Sequence, residues 1–151
     1  MKDLKDVKEE GFRSRVLITS SDAINFIVEH FDNPDLKMTY LRQRLLVLIT
    51  KEVLEEISGK RILRRGDDLY YKGGKLSVSI ASRGISSGKI HLGINLSKEG
   101  TPSYIKTSSL EDLGVNVKED TVLNIMESVG RRYGEEMDKI EEDIRKTKCL
   151  F

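Results

Sequence analysis

Apolar residues between Leu36 and Ile57 recur with a helical period. Leu41, Leu45 and Leu48 form one row, Leu46, Ile49 and Val53 another, and Leu54 and Ile57 extend the stripe. The spacing predicts a long helix that crosses a sheet and is largely buried, entered after the breaker Asn33-Pro34-Asp35 and capped by Gly59. A second helical pattern runs from Lys118 to Lys146, with Val122, Ile125, Met126, Val129, Tyr133, Met137, Ile140 and Ile144 on one side. Between the helices the period changes to two. Leu76, Val78 and Ile80 alternate with Ser77, Ser79 and Ala81, which predicts a strand with one apolar face and one small, hydroxylated face. Gly73-Gly74 ahead of it reads as a two-residue hairpin turn, so that Gly66 to Ala81 forms one tight β-hairpin. Further strands are expected at Val16–Ile18, Ile24–Phe31, Arg61–Arg65 and Lys89–Leu96, with loops at Gly84–Gly88 and Lys98–Ser109. Asp3 to Glu10, with Leu4 and Val7 three apart, reads as a short surface helix ending at Gly11. The order of elements argues for an α+β fold, a mixed but mostly antiparallel sheet packed by two long helices.

Length and charge narrow the function. The 151 residues, 38% of them hydrophobic, suit a single domain over 1–151 with a core that needs no disulfide or metal. Lys plus Arg number 26 against 25 acidic residues, and a net charge of +1 gives no electrostatic reason to bind nucleic acid or an anionic membrane. The 34% of charged residues matches proteins with surface ion-pair networks, as in thermophiles. Cys149 has no partner cysteine, and Cys149-Leu150-Phe151 is one residue short of a prenylation box. The longest apolar-rich stretch, Leu45 to Ile49, is far below a membrane span, and the N-terminus lacks a signal peptide's apolar core, so a soluble cytoplasmic protein is expected.

The candidate chemistry gathers on the hairpin. Asp67 and Asp68 stand at one strand start and Lys75 just past the turn, while Ser77 and Ser79 line the small face, which would leave space for a ligand if it turned toward a concavity. Arg42 and Arg44 point about 200° apart on the first long helix, so only one can face a ligand. The structural alternative is an ion pair with Asp67 or Asp68 that fixes helix to hairpin. His91 and His30 lie on predicted strands, where a lone histidine is more often hydrogen-bonded than catalytic, and neither has a metal-ligand partner at local spacing. No G-x-S-x-G elbow supports a serine hydrolase.

Several strings, in order, resemble the catalytic domain of biotin protein ligases. Asn25-Phe26-Ile27-Val28 precedes the long helix. Arg64-Arg65-Gly66-Asp67-Asp68-Leu69-Tyr70 and Lys75-Leu76-Ser77-Val78-Ser79-Ile80 follow, then His91-Leu92-Gly93-Ile94-Asn95 and Thr107-Ser108-Ser109-Leu110. The strings FIVEHFD, LRQRLLV, GDDLYYKGGKLSVSIA and IHLGIN together also resemble a prokaryotic family of that superfamily, domain of unknown function 366. The resemblance implies the fold shared by biotin and lipoate ligases and class II aminoacyl-tRNA synthetase cores, here in abbreviated form. It implies that Lys75 matches the lysine contacting the acid and its activated form, and that Asp68 and Asn95 lie near the polar end of the pocket. Asp67 stands where the ligases have Asn, Arg65 sits imperfectly in its position, and Ser77 falls near a small-residue pair. Adenylating ligases also wrap phosphates in a GRGRxGR loop. The nearest string here, Gly11-Phe12-Arg13-Ser14-Arg15, has one Gly and two Arg, so no cofactor is assigned.

These features point to a module that binds a small carboxylic acid or acyl conjugate through Lys75, with Arg42, Arg65, Asp67, Asp68, Ser77, Ser79, His91 and Asn95 as candidate ligand-binding residues. If the chain catalyses a reaction, it would be acyltransferase-like or ligase-like, with Lys75 as the catalytic group. The alternative is a non-catalytic scaffold or dimerisation subunit that has lost the nucleotide site, pairing as a homodimer through a sheet edge or long helix.

Overall fold

In the computed structural model, residues 2–9, 12–18, 23–98 and 106–148 are described, the first two segments as backbone alone. Strands β1 (Lys2–Glu9), β2 (Phe12–Ile18) and β3 (Ala23–His30) form an antiparallel meander. Helix α1 (Leu36–Ser58) follows, then the short strands β4 (Leu63–Arg65), β5 (Asp68–Tyr71) and β6 (Gly74–Lys75). β7 (Ser77–Arg83), β8 (Gly88–Asn95) and α2 (Glu119–Lys148) complete the chain. Five strands pair in the order β1-β2-β3-β8-β7, every ladder antiparallel, and β4-β5-β6 form a separate small sheet. The α+β architecture read from the pattern is therefore present. The N-terminal segment corrects the expected helix at Asp3 to Glu10: it is the edge strand β1, with a register shift between Asp3 and Lys5.

Both helices lie on one side of the large sheet. Ile24, Phe26, Val28 and His30 of β3 alternate inward, as do Ile90, Leu92 and Ile94 of β8, and they meet Leu46, Val47, Val53 and Leu54 of α1 and Ile125, Val129 and Tyr133 of α2. Asp35 caps α1 by accepting a hydrogen bond from the Met38 amide (2.7 Å), and Gly59 ends it in the left-handed region at φ 67°. Of the two expected rows of α1, that of Leu46, Ile49 and Val53 is buried, together with Val47 and Leu54, whereas Leu41, Leu48 and Ile57 face out, which corrects the expectation of a largely buried helix. On α2 the apolar stripe is covered as far as Met137, while Ile140 and Ile144 are exposed. Among the described residues no helix is long and apolar enough to cross a membrane.

The expected hairpin of Gly66 to Ala81 is divided between the two sheets. Its turn is Lys72-Gly73, with φ of 47° and 77°, one residue earlier than expected. Leu76 then hands the chain over, its amide donating to the Leu69 carbonyl of the small sheet and its carbonyl accepting from the Asn95 amide of the large one.

Candidate functional site

Strand parity sorts the expected residues into separate groups. Arg65 pairs with Asp68 and Tyr70 with Lys75, so these four side chains share one face of the small sheet. The Lys75 Nζ lies 3.1 Å from Asp68 Oδ1, and the Arg65 guanidinium stands 5.9 Å over the Tyr70 ring. Lys75 and Asp68 are both partly exposed, which limits such an ion pair to roughly 0–1 kcal/mol, so a ligand carboxylate could replace Asp68 at small cost. The backbone of Lys75 is held on two sides. Its amide donates to the Lys106 carbonyl and its carbonyl accepts from the Ser108 amide (2.9 Å) and from Asn95 Nδ2 (3.3 Å), which also donates to the Ser108 carbonyl (3.1 Å).

Asn95 ties this hairpin to the side of the large sheet that α1 and α2 do not cover. On β8, His91, Gly93 and Asn95 alternate outward. Their ladder neighbours are Ile80 and Val78 on β7 and Ile27 and Asn25 on β3. Val78 is 50% and Ile80 61% exposed, while His91 Nε2 lies 2.8 Å from Asn25 Oδ1. Partial burial holds His91 below its ordinary pKa. The result is an open surface with an apolar edge, one imidazole–carboxamide pair at its centre and the Lys75 hairpin at one end. Asn25 was missed in the sequence; the signal for it was its parity with Ile27 on a strand adjacent to His91.

The remaining candidates face the helices. The alternation of β7 is as expected, and the structure fixes its sense: the hydroxyl face lies beneath α1, filled by packing, and the aliphatic face is open. Ser77 is fully buried and accepts from the Leu69 amide (2.9 Å). Ser79 donates to the His91 carbonyl (2.8 Å) and accepts from Gln43 Nε2 (2.9 Å), which also reaches Asp67 Oδ2 (3.2 Å). Gln43, buried on α1, thus brackets helix, hairpin and sheet, a role not signalled by its neighbours Arg42 and Arg44. Arg42 does not pair with Asp67 or Asp68. It makes a two-pronged ion pair with Asp32 (2.8 and 2.6 Å), whose carboxyl is held below its usual range by those hydrogen bonds. Arg13 and Arg15, from the expected phosphate-loop string, stand on β2, whose residues pair with β1 and β3; Gly11 lies outside the described residues, as does Cys149.

Residues 1–148 match the family described as Domain of unknown function (DUF366). The chain belongs to that family. It is 52% identical over its whole length to the uncharacterized protein MJ0805 of Methanocaldococcus jannaschii, of which it spans 65%. Among solved structures it resembles a protein of unknown function from Pyrococcus horikoshi, with a TM-score of 0.70 and 34% identity over 80% of this chain and 61% of that one. It also resembles the biotin protein ligase from Aquifex aeolicus in complex with biotin and ATP, with a TM-score of 0.64 and 23% identity over 80% of this chain and 52% of that one. A third is protein Ta0514 from T. acidophilum with bound lipoic acid, with a TM-score of 0.60 and 14% identity over 83% and 55%. The biotin/lipoate ligase likeness is thus shared at the level of the fold, and the DUF366 chain spans between 52% and 65% of the length of these four proteins.

Proposed function

We propose that this DUF366 chain binds a small carboxylic acid or acyl conjugate on the open face of the large sheet. Val78, Ile80 and Ile27 would take the acyl portion and the Lys75 ammonium its carboxylate. Asn95 carries the reading: it belongs to the open face by strand parity, yet its carboxamide holds the Lys75 carbonyl, so the lysine is anchored at the end of an exposed apolar surface. The biotin and lipoic acid named with two of the structural neighbours are acids of this class. Asp68 and Arg65 would border the carboxylate, and the His91–Asn25 pair would supply a polar contact along the chain of the ligand. If an acyl group is activated there, Lys75 is the group that would stabilise the growing negative charge.

A second reading, a non-catalytic subunit, draws on β2, where Arg13 and Arg15 belong to a ladder and not to a phosphate-binding loop. Thermal shift against octanoate, lipoate, biotin, ATP and an acyl-CoA separates the two. An acid at a hundredfold over its Kd should stabilise the chain by roughly 2.7 kcal/mol. Lys75→Ala should abolish that shift with the unliganded melting temperature nearly unchanged. A shift retained in the variant would remove Lys75 from the site, and no shift with any acid would favour the subunit reading.

A further inference from the structure

The outward side of α1 carries an apolar stripe that the described fold leaves largely open, with Leu45 at its edge partly packed on the core. Leu41 is 56% and Leu48 39% exposed, Leu36 and Tyr40 are exposed beside them, and a shallow hollow of about 430 Å³ opens between Leu36, Tyr40, Leu41, Lys37 and Arg44. Single exposed apolar residues are ordinary, but a continuous stripe marks an interface. At 100° per residue, Lys37, Leu41, Arg44, Leu45, Leu48 and Glu52 fall within an arc of roughly 100°, the width of one packing face.

The stripe is self-complementary when reversed. Measured from the Arg44–Leu45 peptide, Leu41 and Leu48 are equidistant, and so are Lys37 and Glu52, which carry opposite charges. Neither Lys37 nor Glu52 is in an ion pair among the described residues, although Glu52 stands at the edge of the face next to α2, where it lines a hollow with Arg132 and Lys139 and interacts with the Arg132 charge. Two helices packed in parallel about a two-fold would set Lys37 beside Lys37, Arg44 beside Arg44 and Glu52 beside Glu52, which like-charge repulsion opposes. Packed antiparallel, they set Leu41 against Leu48, Lys37 against Glu52 and the aliphatic stem of Arg44 against Leu45, twice over by symmetry.

We infer that the partner of this face is a second copy of the chain, with α1 packed antiparallel on α1 across a two-fold axis at the Arg44–Leu45 peptide. The pairing face and the proposed ligand face lie on opposite sides of the large sheet, so the two readings stand or fall separately. Sedimentation equilibrium on the full chain tests the pairing. The unaltered chain is expected to be a dimer, and Leu41→Glu a monomer with an unchanged far-ultraviolet circular dichroism spectrum, because Leu41 makes little contact within its own chain. Lys37→Glu and Glu52→Lys should each weaken the dimer about tenfold, since each turns two attractions into two repulsions. The double variant K37E/E52K should recover the original association, which only the antiparallel register allows. A chain that stays monomeric at its highest soluble concentration would overturn the inference and leave the stripe to a different protein. Dimerisation unaffected by Leu41→Glu, or charge reversals that fail to rescue each other, would overturn it too.

Discussion

Gly74 sits where a side chain has no room. A Cβ there would lie 2.4 Å from Ser108 Oγ and 2.8 Å from the Thr107 carbonyl, in the segment that also brackets the Lys75 backbone. Gly74→Ala should therefore destabilise the chain by roughly 1–3 kcal/mol, the ordinary cost of overpacking, and should lower any acid-induced thermal shift by displacing Lys75. Urea denaturation with and without octanoate checks both effects. Gly73-Gly74 was legible in the sequence as a turn, but its two glycines have different reasons: Gly73 supplies a positive φ, and Gly74 supplies space. That difference shifted the turn by one residue. Lys75 and Asp68 were legible as a pair because a primed turn fixes which strand residues oppose each other. The fate of Ser77 and Ser79 was not, since period-two alternation states that two faces differ but not which of them a helix will cover.

At the scale of elements, legibility followed the strength of local signals. Helix α1 had both ends written in the chain, an Asp before the first turn and a Gly after the last, and its observed bounds differ from the expected ones by one residue. Asp35→Ala should cost about 1 kcal/mol through loss of the bond from the Met38 amide. The drop should appear as a lower denaturation midpoint with an unchanged slope. Strand β1 is the opposite case. Its Leu4 and Val7, three apart, mimic a helix, and only the ladder with β2 makes the segment extended, a tertiary choice that no local pattern reports. Its run of charges fits an outermost strand, where lysines and carboxylates discourage further pairing. The burial of α1 was misjudged for a related reason: two apolar rows on one helix predict two contacts, and the fold covers one of them.

For the molecule as a whole, His30 is the point where the layers meet. It lies at the end of β3, is 2% exposed, and its Nε2 is 2.7 Å from the hydroxyl of Tyr133 on α2. The rings meet edge to face, and Arg42 of α1, paired with Asp32 from the connection after β3, stands nearby. Burial, reinforced by the Arg42 charge and opposed by Asp32, lowers the His30 pKa to about 4, while burial raises that of Tyr133 well above its ordinary value. The linkage has a definite sign. As pH falls below about 6.5 the unfolded chain takes a proton on His30 that the folded chain refuses, so stability is complete above that pH and declines until the folded pKa is reached. The full decline is roughly 3 kcal/mol, the free energy of a shift of this size. The depressed Asp32 carboxyl adds a separate loss at lower pH, where it gains its proton. Urea unfolding at pH 7, 5.5 and 4.5 should thus show falling stability in the original chain and a flatter profile in His30→Gln, which keeps a hydrogen-bonding group beside Tyr133 but cannot titrate. Parallel profiles for the two proteins would mean that His30 takes its proton as easily folded as unfolded, and the pH dependence would then belong to the carboxylates alone. A flatter variant would instead show that one neutral imidazole, held between sheet and helix, sets the acid limit of the fold.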